Sequence, residues 1–152
     1  ESHVLHDAHI SNYVVLGNNV QIAGCCKIHS YTIFSSGSLA HAGSDVGRWV
    51  MIKGGCRING NVPPFVVIAH NPATYAGINA FLMRRSGYTE DEIDDVAKCY
   101  RHVYECNTTV FNAMKRIESD IKPGKARDEI LNFVRSHDLK IVAGPVHSDY
   151  ID

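Results

Sequence analysis

Several classes of protein are excluded by what the sequence lacks. It contains no run of about 20 apolar residues, so no transmembrane helix is expected. Basic and acidic residues nearly balance, at 15 and 16, and the formal net charge is only −1. Such a balance would not steer the protein towards nucleic acid or an anionic membrane surface. We therefore predict no nucleic-acid partner and no stable membrane insertion.

The sequence also lacks cysteines with the spacing of a metal site. The chain has five cysteines, an odd number, and Cys25 and Cys26 are adjacent, so that they should point to different faces of a strand. This usage is typical of free thiols in a reducing compartment rather than of a disulfide framework. The sequence therefore predicts unpaired cysteines and a cytoplasmic location.

What the sequence does contain is a hexapeptide repeat across residues 4–62. The first position of each unit is branched aliphatic or aromatic, with one small exception: Val4, Ile10, Leu16, Ile22, Ile28, Phe34, Ala40, Val46, Ile52, Ile58. The fifth position is small or β-branched: Ala8, Val14, Val20, Cys26, Thr32, Ser38, Ser44, Val50, Cys56, Val62. Between them lie mostly Gly, Asn, Ser, His and Asp, which tolerate tight turns.

A period of six fits neither a helix nor a simple hairpin strand. It fits short strands joined by corners, with three hexapeptides in each triangular coil. A chance alternation in a β-sandwich is the alternative, but ten consecutive units in one register argue against it. We predict that residues 1–62 form a parallel β-helix whose coils are stabilised by stacking on their neighbours.

The second half of the chain has a different pattern. Two prolines after Val62 should end the repeat, because they remove backbone donors. We expect a connecting segment over residues 63–77, with a last extended piece at 65–68 and turns over residues 70–74. From residue 78 the apolar period is helical, and helices are predicted at 79–85, after Thr89, after Thr109 and at 126–136. Residues 78–152 should thus form a small helical bundle that closes the prism, although the tail from 139 is ambiguous.

Each coil contains three hexapeptides, so residues 18 apart in the sequence should stack in columns along the prism. Two of these columns contain reactive groups. They read His6, Gly24, Ala42, Gly60 and Asp7, Cys25, Gly43, Asn61. Small residues above His6 leave an open lane, in which Asp7 would orient the imidazole. Gly24, about 4.8 Å along the axis, would offer its N–H to a developing oxyanion. A base, an orienting carboxylate and an amide donor are the minimum for general-base acyl transfer.

Two other interpretations stay open from the residues alone. The histidines of the repeat are also ordinary exposed corner residues. A zinc held between subunits by three histidines would need a third histidine close to His41, and none follows it. We therefore predict no metal site.

The start of the chain carries a separate expectation. The repeat is already in register at Val4, with no polar cap before it, whereas solenoid ends are normally capped. We expect that this is the C-terminal part of a longer protein, or a chain without its first coils.

Several segments resemble one family of hexapeptide-repeat enzymes. They are residues 3–7 (HVLHD), 16–24 (LGNNVQIAG), 62–66 (VPPFV), 77–79 (GIN) and 82–88 (LMRRSGY). The chain is identified by them as similar to the acyl-[acyl-carrier-protein]–UDP-N-acetylglucosamine O-acyltransferases of lipid A biosynthesis. The resemblance covers nearly the whole chain and implies the left-handed form of the β-helix, which is an exception to the usual right-handed crossover.

The resemblance implies an activity and its partners. A (R)-3-hydroxyacyl group would pass from acyl carrier protein to the 3-hydroxyl of UDP-N-acetylglucosamine, the first step of lipid A biosynthesis, in a homotrimer without a cofactor. His6 matches the family's general base, Asp7 its orienting residue and Gly24 its oxyanion donor. His3 and His41 match histidines of the substrate cleft, and Cys25 stands where another cleft histidine is usual.

Four further positions follow from the same resemblance. Asn79 and Arg85 match nucleotide-binding positions, and a guanidinium suits a diphosphate. Gly54 and Pro72 match positions that limit the acyl chain, and a glycine there leaves the groove long. We therefore predict a preference for a long acyl donor over a medium-length one.

Two rival functions are retained. The N-acyltransferase of the same pathway has the same fold and base but acylates an amine. A non-catalytic β-helix scaffold is the rival from another class, and the column of His6, Asp7 and Gly24 argues against it.

Overall fold

The computed structural model describes residues 1–145, and the last part of the ambiguous tail lies outside them. The first half is a triangular prism whose coils each contribute three short parallel strands. These strands are β1 His3–Val4, β2 His9–Ile10, β3 Val15–Leu16, β4 Gln21–Ile22, β5 Lys27–Ile28, β6 Ile33–Phe34, β7 Leu39–Ala40, β8 Asp45–Val46, β9 Met51–Ile52, β10 Arg57–Ile58 and β11 Asn61–Val62. Two longer strands, β12 Val66–Ala69 and β13 Thr74–Ile78, complete the wall.

The predicted coil length is confirmed by the strand register. His3 lies beside Gln21, and Gln21 lies beside Leu39, so each strand pairs with the strand three hexapeptides further along the chain. The three walls are the sheets β1-β4-β7-β10, β2-β5-β8-β11 and β3-β6-β9-β12-β13. The fold is a left-handed parallel β-helix followed by helices, as predicted.

The interior contains the residues that the repeat places at its first and fifth positions. Ile22, Ile28, Phe34 and Ile52 are fully buried, because the second residue of each strand points inward. Small residues at the fifth position fill the space near the corners. Thr32, for example, is buried and its hydroxyl donates to the Gly47 carbonyl at 2.7 Å.

Corners between strands require a residue in the left-handed region of φ. We name the corners by their columns: the first corner contains residues 6–7, 24–25 and 42–43. The second contains 12–13, 30–31 and 48–49, and the third contains 18–19, 36–37 and 54–55. The second residue of each pair has φ between 57° and 75°, whether it is Asp7 or Gly43. Stacked corners are joined by hydrogen bonds, such as Cys25 N–H to the His6 carbonyl at 3.0 Å.

The last coil departs from the predicted period. Asn61 lies beside Asp45 and Val67 beside Met51, so the step here falls short of three full hexapeptides. The corner between β10 and β11 is shortened to Asn59 and Gly60, and Gly60 makes the tight turn with a φ of 114°. Gly60 and Asn61 are therefore not members of the first-corner columns, and that part of the column prediction is wrong.

The segment after the prolines is more regular than the sequence predicts. β12 continues the third wall in parallel with β9, and β13 then returns antiparallel beside β12. The turns predicted at residues 70–74 are confirmed except at Thr74, where β13 begins, and the strand itself was not predicted. The strand is stabilised by packing against a helix later in the chain, which the local sequence does not indicate. The Tyr75 ring stacks on the Tyr104 ring with centroids 4.2 Å apart, and its centroid lies 5.7 Å from that of Tyr100.

Four helices follow: α1 Ala80–Arg85, α2 Glu90–Tyr104, α3 Val110–Asp120 and α4 Lys125–Ser136. Thr89 and Thr109 cap α2 and α3 as predicted, each accepting the N–H of the third residue after it at 3.1 Å. Each of the three longer helices buries one apolar face, for example Val96, Cys99 and Tyr100 in α2. No helix of residues 1–145 has the length and apolar character needed to cross a membrane.

Polar contacts fasten the helices to the prism. The Tyr100 hydroxyl donates to the Pro64 carbonyl, and Arg48 forms a two-pronged ion pair with Glu129 at 2.7 and 3.1 Å. Asp45 accepts from His29 and from His137, both at 2.8 Å. His29 is thus part of a bridge between the prism and the C-terminal end of α4.

Candidate active site

His6 and Asp7 form the first corner of the first coil. The His6 Nδ1 lies 3.1 Å from the Asp7 carboxylate, and both side chains are largely exposed, at 76% and 80%. Asp7 reaches its neighbour because its own φ is 57°, which turns the chain sharply at this corner. The contact fixes one ring nitrogen of the histidine, so the other nitrogen is directed away from the carboxylate.

Gly24 lies directly above the His6 ring, one coil along the axis. A Cβ added at Gly24 would be only 2.5 Å from His6 Cε1 and 2.6 Å from Nε2. Any side chain here would therefore displace the imidazole. Among residues 1–145 the Gly24 N–H has no hydrogen-bond acceptor. The structure thus brings together the three groups that the columns of the sequence selected.

Cys25 is the exposed thiol of this corner. Its backbone N–H donates to the His6 carbonyl, and its sulfur lies within 4.8 Å of a His6 ring nitrogen and an Asp7 oxygen. All five cysteines are unpaired, as predicted. The neighbouring Cys26 is different, because burial raises its pKa and its Sγ donates to the His41 carbonyl at 3.1 Å. Cys25 is therefore the thiol of this pair that a ligand can reach.

The two other predicted cleft histidines lie close to the same corner. His3 is on β1, with its Nδ1 3.1 Å from the Gln21 amide oxygen on β4. His41 is exposed and follows β7, two coils along from Leu5. Gln21 was not predicted from the sequence, although a step of three hexapeptides from His3 leads to it.

Asn79 and Arg85 lie in another part of the chain. Asn79 is buried, and its Nδ2 donates to the Trp49 carbonyl of the second corner at 2.9 Å. Arg85 is exposed at the end of α1, with its guanidinium 5.6 Å from the Phe81 ring centroid. Within one chain these two residues are associated with the second corner and α1, whereas His6 belongs to the first corner.

Gly54 and Pro72 both lie towards the third corner. Gly54 is exposed, and a Cβ there would meet the Ser36 carbonyl at 3.2 Å. Pro72 lies in the turn after β12, the strand beside Met51–Ile52, and these two residues lead into the third corner. The first wall of the prism connects this corner to the first corner and to His6.

Enclosed space is found away from His6. A cleft of about 440 Å³ lies between the start of α2, the start of α4 and Tyr88. It is lined by charges of both signs, and in it Glu129 raises the pKa of Arg48 by hydrogen bonding. The candidate site is therefore the first corner, where an imidazole, a carboxylate and an amide N–H without an acceptor in residues 1–145 meet.

Comparisons with known proteins identify the family to which the chain is similar. A family profile described as "UDP N-acetylglucosamine O-acyltransferase; Domain 2" matches residues 61–142. The acyl-[acyl-carrier-protein]–UDP-N-acetylglucosamine O-acyltransferase of Xylella fastidiosa is 30% identical over 136 residues, covering 89% of this chain and 52% of that protein. The enzyme of the same name from Gloeothece citriformis is 33% identical, covering 78% of this chain and 43% of that protein.

Solved structures give the same result. A UDP-N-acetylglucosamine acyltransferase from Bacteroides fragilis superposes with a TM-score of 0.90 and 32% identity, over 93% of this chain and 55% of that chain. One from Francisella novicida gives 0.88 and 27%, over 95% and 53%. The chain spans about half the length of the curated relatives it matches. It belongs to the UDP-N-acetylglucosamine O-acyltransferase family.

Proposed function

We propose that this chain contains the catalytic corner of an O-acyltransferase of lipid A biosynthesis. The reaction is transfer of a (R)-3-hydroxyacyl group from acyl carrier protein to the 3-hydroxyl of UDP-N-acetylglucosamine. Family membership supports the reaction class. The observation that carries the proposal is the first corner, where His6 is held by Asp7 and lies against the backbone of Gly24.

Each of the three groups has one chemical task in this proposal. His6 accepts the proton of the sugar 3-hydroxyl while the hydroxyl oxygen attacks the thioester carbonyl carbon. Asp7 keeps the imidazole in one tautomer and stabilises its protonated form. The Gly24 N–H donates to the oxyanion of the tetrahedral intermediate. Collapse of that intermediate breaks the carbon–sulfur bond, and His6 returns the proton to the departing thiolate.

The remaining predicted residues bind and measure the substrates. His3, His41 and Cys25 line the lane around the base. Arg85 pairs with the diphosphate of the nucleotide. Asn79 contributes through its Oδ1, because its Nδ2 is already bound to Trp49. Gly54 and Pro72 limit the acyl chain along the first wall, in the direction of the third corner.

We further propose that the protein works as a homotrimer in the cytoplasm. The high exposure of His6 and Asp7 supports this assembly, because a second surface is needed to exclude water from the reaction. A closed three-fold ring supplies that surface from a neighbouring copy and brings its α1 towards the first corner. This also accounts for the separation of Arg85 from His6 within one chain.

The alternative within the same pathway is N-acyl transfer to an amine. It uses the same base and oxyanion donor, so the first corner alone does not distinguish it. The family profile over residues 61–142 favours the O-acyl enzyme. A 3-amino analogue of UDP-N-acetylglucosamine is the closest competing acceptor.

An assay with defined donors and acceptors tests the proposal. The purified protein is incubated with 3-hydroxyacyl carrier protein and with UDP-N-acetylglucosamine or its 3-amino analogue, and the products are identified by mass spectrometry. We expect an ester at the sugar 3-hydroxyl. A product formed only with the amine acceptor would identify the 3-amino analogue as the acceptor in place of UDP-N-acetylglucosamine. No product with either acceptor from a folded trimer would leave only the scaffold.

A further inference from the structure

The first corner also carries a cluster of three metal ligands. One His6 ring nitrogen, one Asp7 carboxylate oxygen and the Cys25 sulfur all lie within 4.8 Å of one another. The sequence argued against a site of three histidines, but here the third ligand is a thiol from the next coil. We infer that His6, Asp7 and Cys25 bind a zinc ion, and that zinc at this site blocks the proposed base.

The donor set selects the class of metal. Imidazole nitrogen, carboxylate oxygen and thiolate sulfur are the ligands that Zn²⁺ uses, whereas Mg²⁺ and Ca²⁺ prefer oxygen ligands alone. Three protein ligands leave a fourth position for water. Tetrahedral bonds of about 2.0 to 2.3 Å place ligand atoms about 3.5 Å apart. The side chains must therefore approach by about 1 Å, and their exposure leaves them free to rotate.

The β-helix holds the three ligands in place. Asp7 and Cys25 occupy equivalent corner positions in consecutive coils, with φ of 57° and 61°. The Cys25 N–H is bonded to the His6 carbonyl, which fixes the step between the two coils. Because Gly24 has no side chain, the His6 ring can lie close to the coil that carries Cys25. The ligands are thus presented by a rigid backbone rather than by a flexible loop.

The consequence for catalysis rests on the proposed function. A neutral imidazole has one nitrogen with a free lone pair. A metal that takes this lone pair leaves the ring unable to accept a proton, whichever of the two nitrogens it binds. Zinc occupancy and acyl transfer therefore exclude each other. Cys25 supplies the thiolate ligand that this inhibition requires.

Zinc binding is tested first, without reference to activity. The trimeric protein is titrated with Zn²⁺ in competition with a chromophoric chelator, in a Cys106→Ala background. That background is needed because Cys106 is exposed and lies 4.0 Å from His102. We expect one zinc per chain, at least tenfold weaker binding in Cys25→Ser and in His6→Ala, and no competition by Mg²⁺. His9→Ala is the matched control, an exposed histidine one strand away, and should bind normally.

Alkylation gives an independent measurement in the same Cys106→Ala background. Zinc should protect Cys25 from iodoacetamide, whereas Cys25 should stay reactive at the same zinc concentration in the His6→Ala variant. The alkylated Cys25 peptide is quantified by mass spectrometry. Equal zinc affinity in Cys25→Ser and in the parent protein, or equal reactivity of Cys25 with and without zinc, would overturn the site.

Activity is measured last, for each variant with and without zinc. We expect zinc to reduce acyl transfer by the parent protein more than tenfold, with recovery after a chelator is added. In Cys25→Ser the ratio of rates without and with zinc should be close to one. A protein that binds zinc at Cys25 but transfers no acyl group under any condition refutes the proposed function and leaves the zinc site standing. Zinc-insensitive transfer refutes the inhibition alone.

Discussion

The first and second corners of the prism have the same backbone but different side chains. At the second corner the rings of Tyr13, Tyr31 and Trp49 form a continuous stack, with centroids 5.1 and 4.1 Å apart and planes within 8° of parallel. Tyr88 then packs edge-on against Trp49 at 6.2 Å. At the first corner a histidine ring lies instead on the bare backbone of Gly24.

The difference teaches where a repetitive fold can place chemistry. Both corners use residues with positive φ, a conformation that costs free energy for any residue except glycine. At the second corner, stacking of large aromatic rings offsets part of this conformational cost. At the first corner, Gly24 is buried, but its lack of a side chain leaves room for the exposed imidazole, and its N–H has no acceptor within residues 1–145. The corner of the candidate site is thus the one with less side-chain packing.

Among the changes that test this comparison, loss of the His6 imidazole should have the largest effect, and the effect should be on turnover. His6→Ala is expected to lower turnover by about 100- to 10,000-fold, the usual contribution of a general base. Its side chain is exposed, so thermal unfolding should be unchanged. Steady-state kinetics on His6→Ala and on His9→Ala, the exposed control, measure the effect. Turnover close to that of the parent in His6→Ala would remove the central claim.

Filling the open corner should have the next largest effect. Gly24→Ala places a methyl group 2.5 Å from His6 Cε1 and must displace the ring, so we expect a loss of about 100-fold. If displacement of the base is the cause, Gly24→Ala should add little in the His6→Ala background. Gly124→Ala, where the added methyl meets nothing within 4 Å, is the control. Full additivity in the double variant would mean that Gly24 acts independently of His6.

Opening the filled corner should affect stability instead. Trp49→Ala removes contacts with Tyr31 and Tyr88, and we expect a loss of about 2 to 4 kcal/mol in the free energy of unfolding. Tyr13 is 73% exposed at the end of the same stack, so Tyr13→Ala should cost less than about 1 kcal/mol. Denaturant unfolding of both variants makes the comparison. Equal losses would show that the stack does not stabilise the corner in the way proposed.

The third corner should control specificity with a smaller effect. A methionine at Gly54 would extend into the groove proposed for the acyl chain. Each methylene excluded from burial costs about 0.8 kcal/mol. Loss of two methylenes would change the preference between donors by about tenfold. Gly54→Met should therefore favour a shorter donor, as measured by competition between two acyl carrier proteins. Gly55→Met, at the adjacent corner position, provides the comparison, and an unchanged preference in Gly54→Met would place the limit elsewhere.

The smallest expected effect is a pH dependence of the free energy of unfolding, caused by Asp45, which lies on β8 between the first and second corners. Burial raises the pKa of Asp45, but hydrogen bonds from His29 and His137 outweigh burial and hold its pKa below the ordinary value. Its contribution to stability is present above the unfolded pKa of about 4 and is lost as the pH falls through the folded pKa. Denaturant midpoints from pH 6 to pH 3 should converge for Asp45→Asn and the parent. Asp138→Asn is the exposed control, and a constant gap would contradict the linkage.

The repeat predicted the coils and the first corner because both depend on local periodicity. A step of three hexapeptides was enough to place His6, Asp7 and Gly24 together. The shortened corner at Gly60 and the strand at Thr74–Ile78 could not be predicted, because each depends on contacts with distant residues. The bridge from Asp45 to His137 was missed for the same reason, since no period connects a coil to a helix 92 residues away.

The shortened corner at Asn59–Gly60 also determines on which side of the prism the helices lie relative to the first corner. One hexapeptide turns the chain through a third of a circle, so inserting a single unit before Asn59 would carry α1 to α4 round to a different wall. An insertion of three units would lengthen the prism by one coil and leave the orientation of the helices about the prism axis unchanged. The molecule can thus be extended along its axis in whole coils only, which gives a protein engineer a simple rule for building longer versions of it.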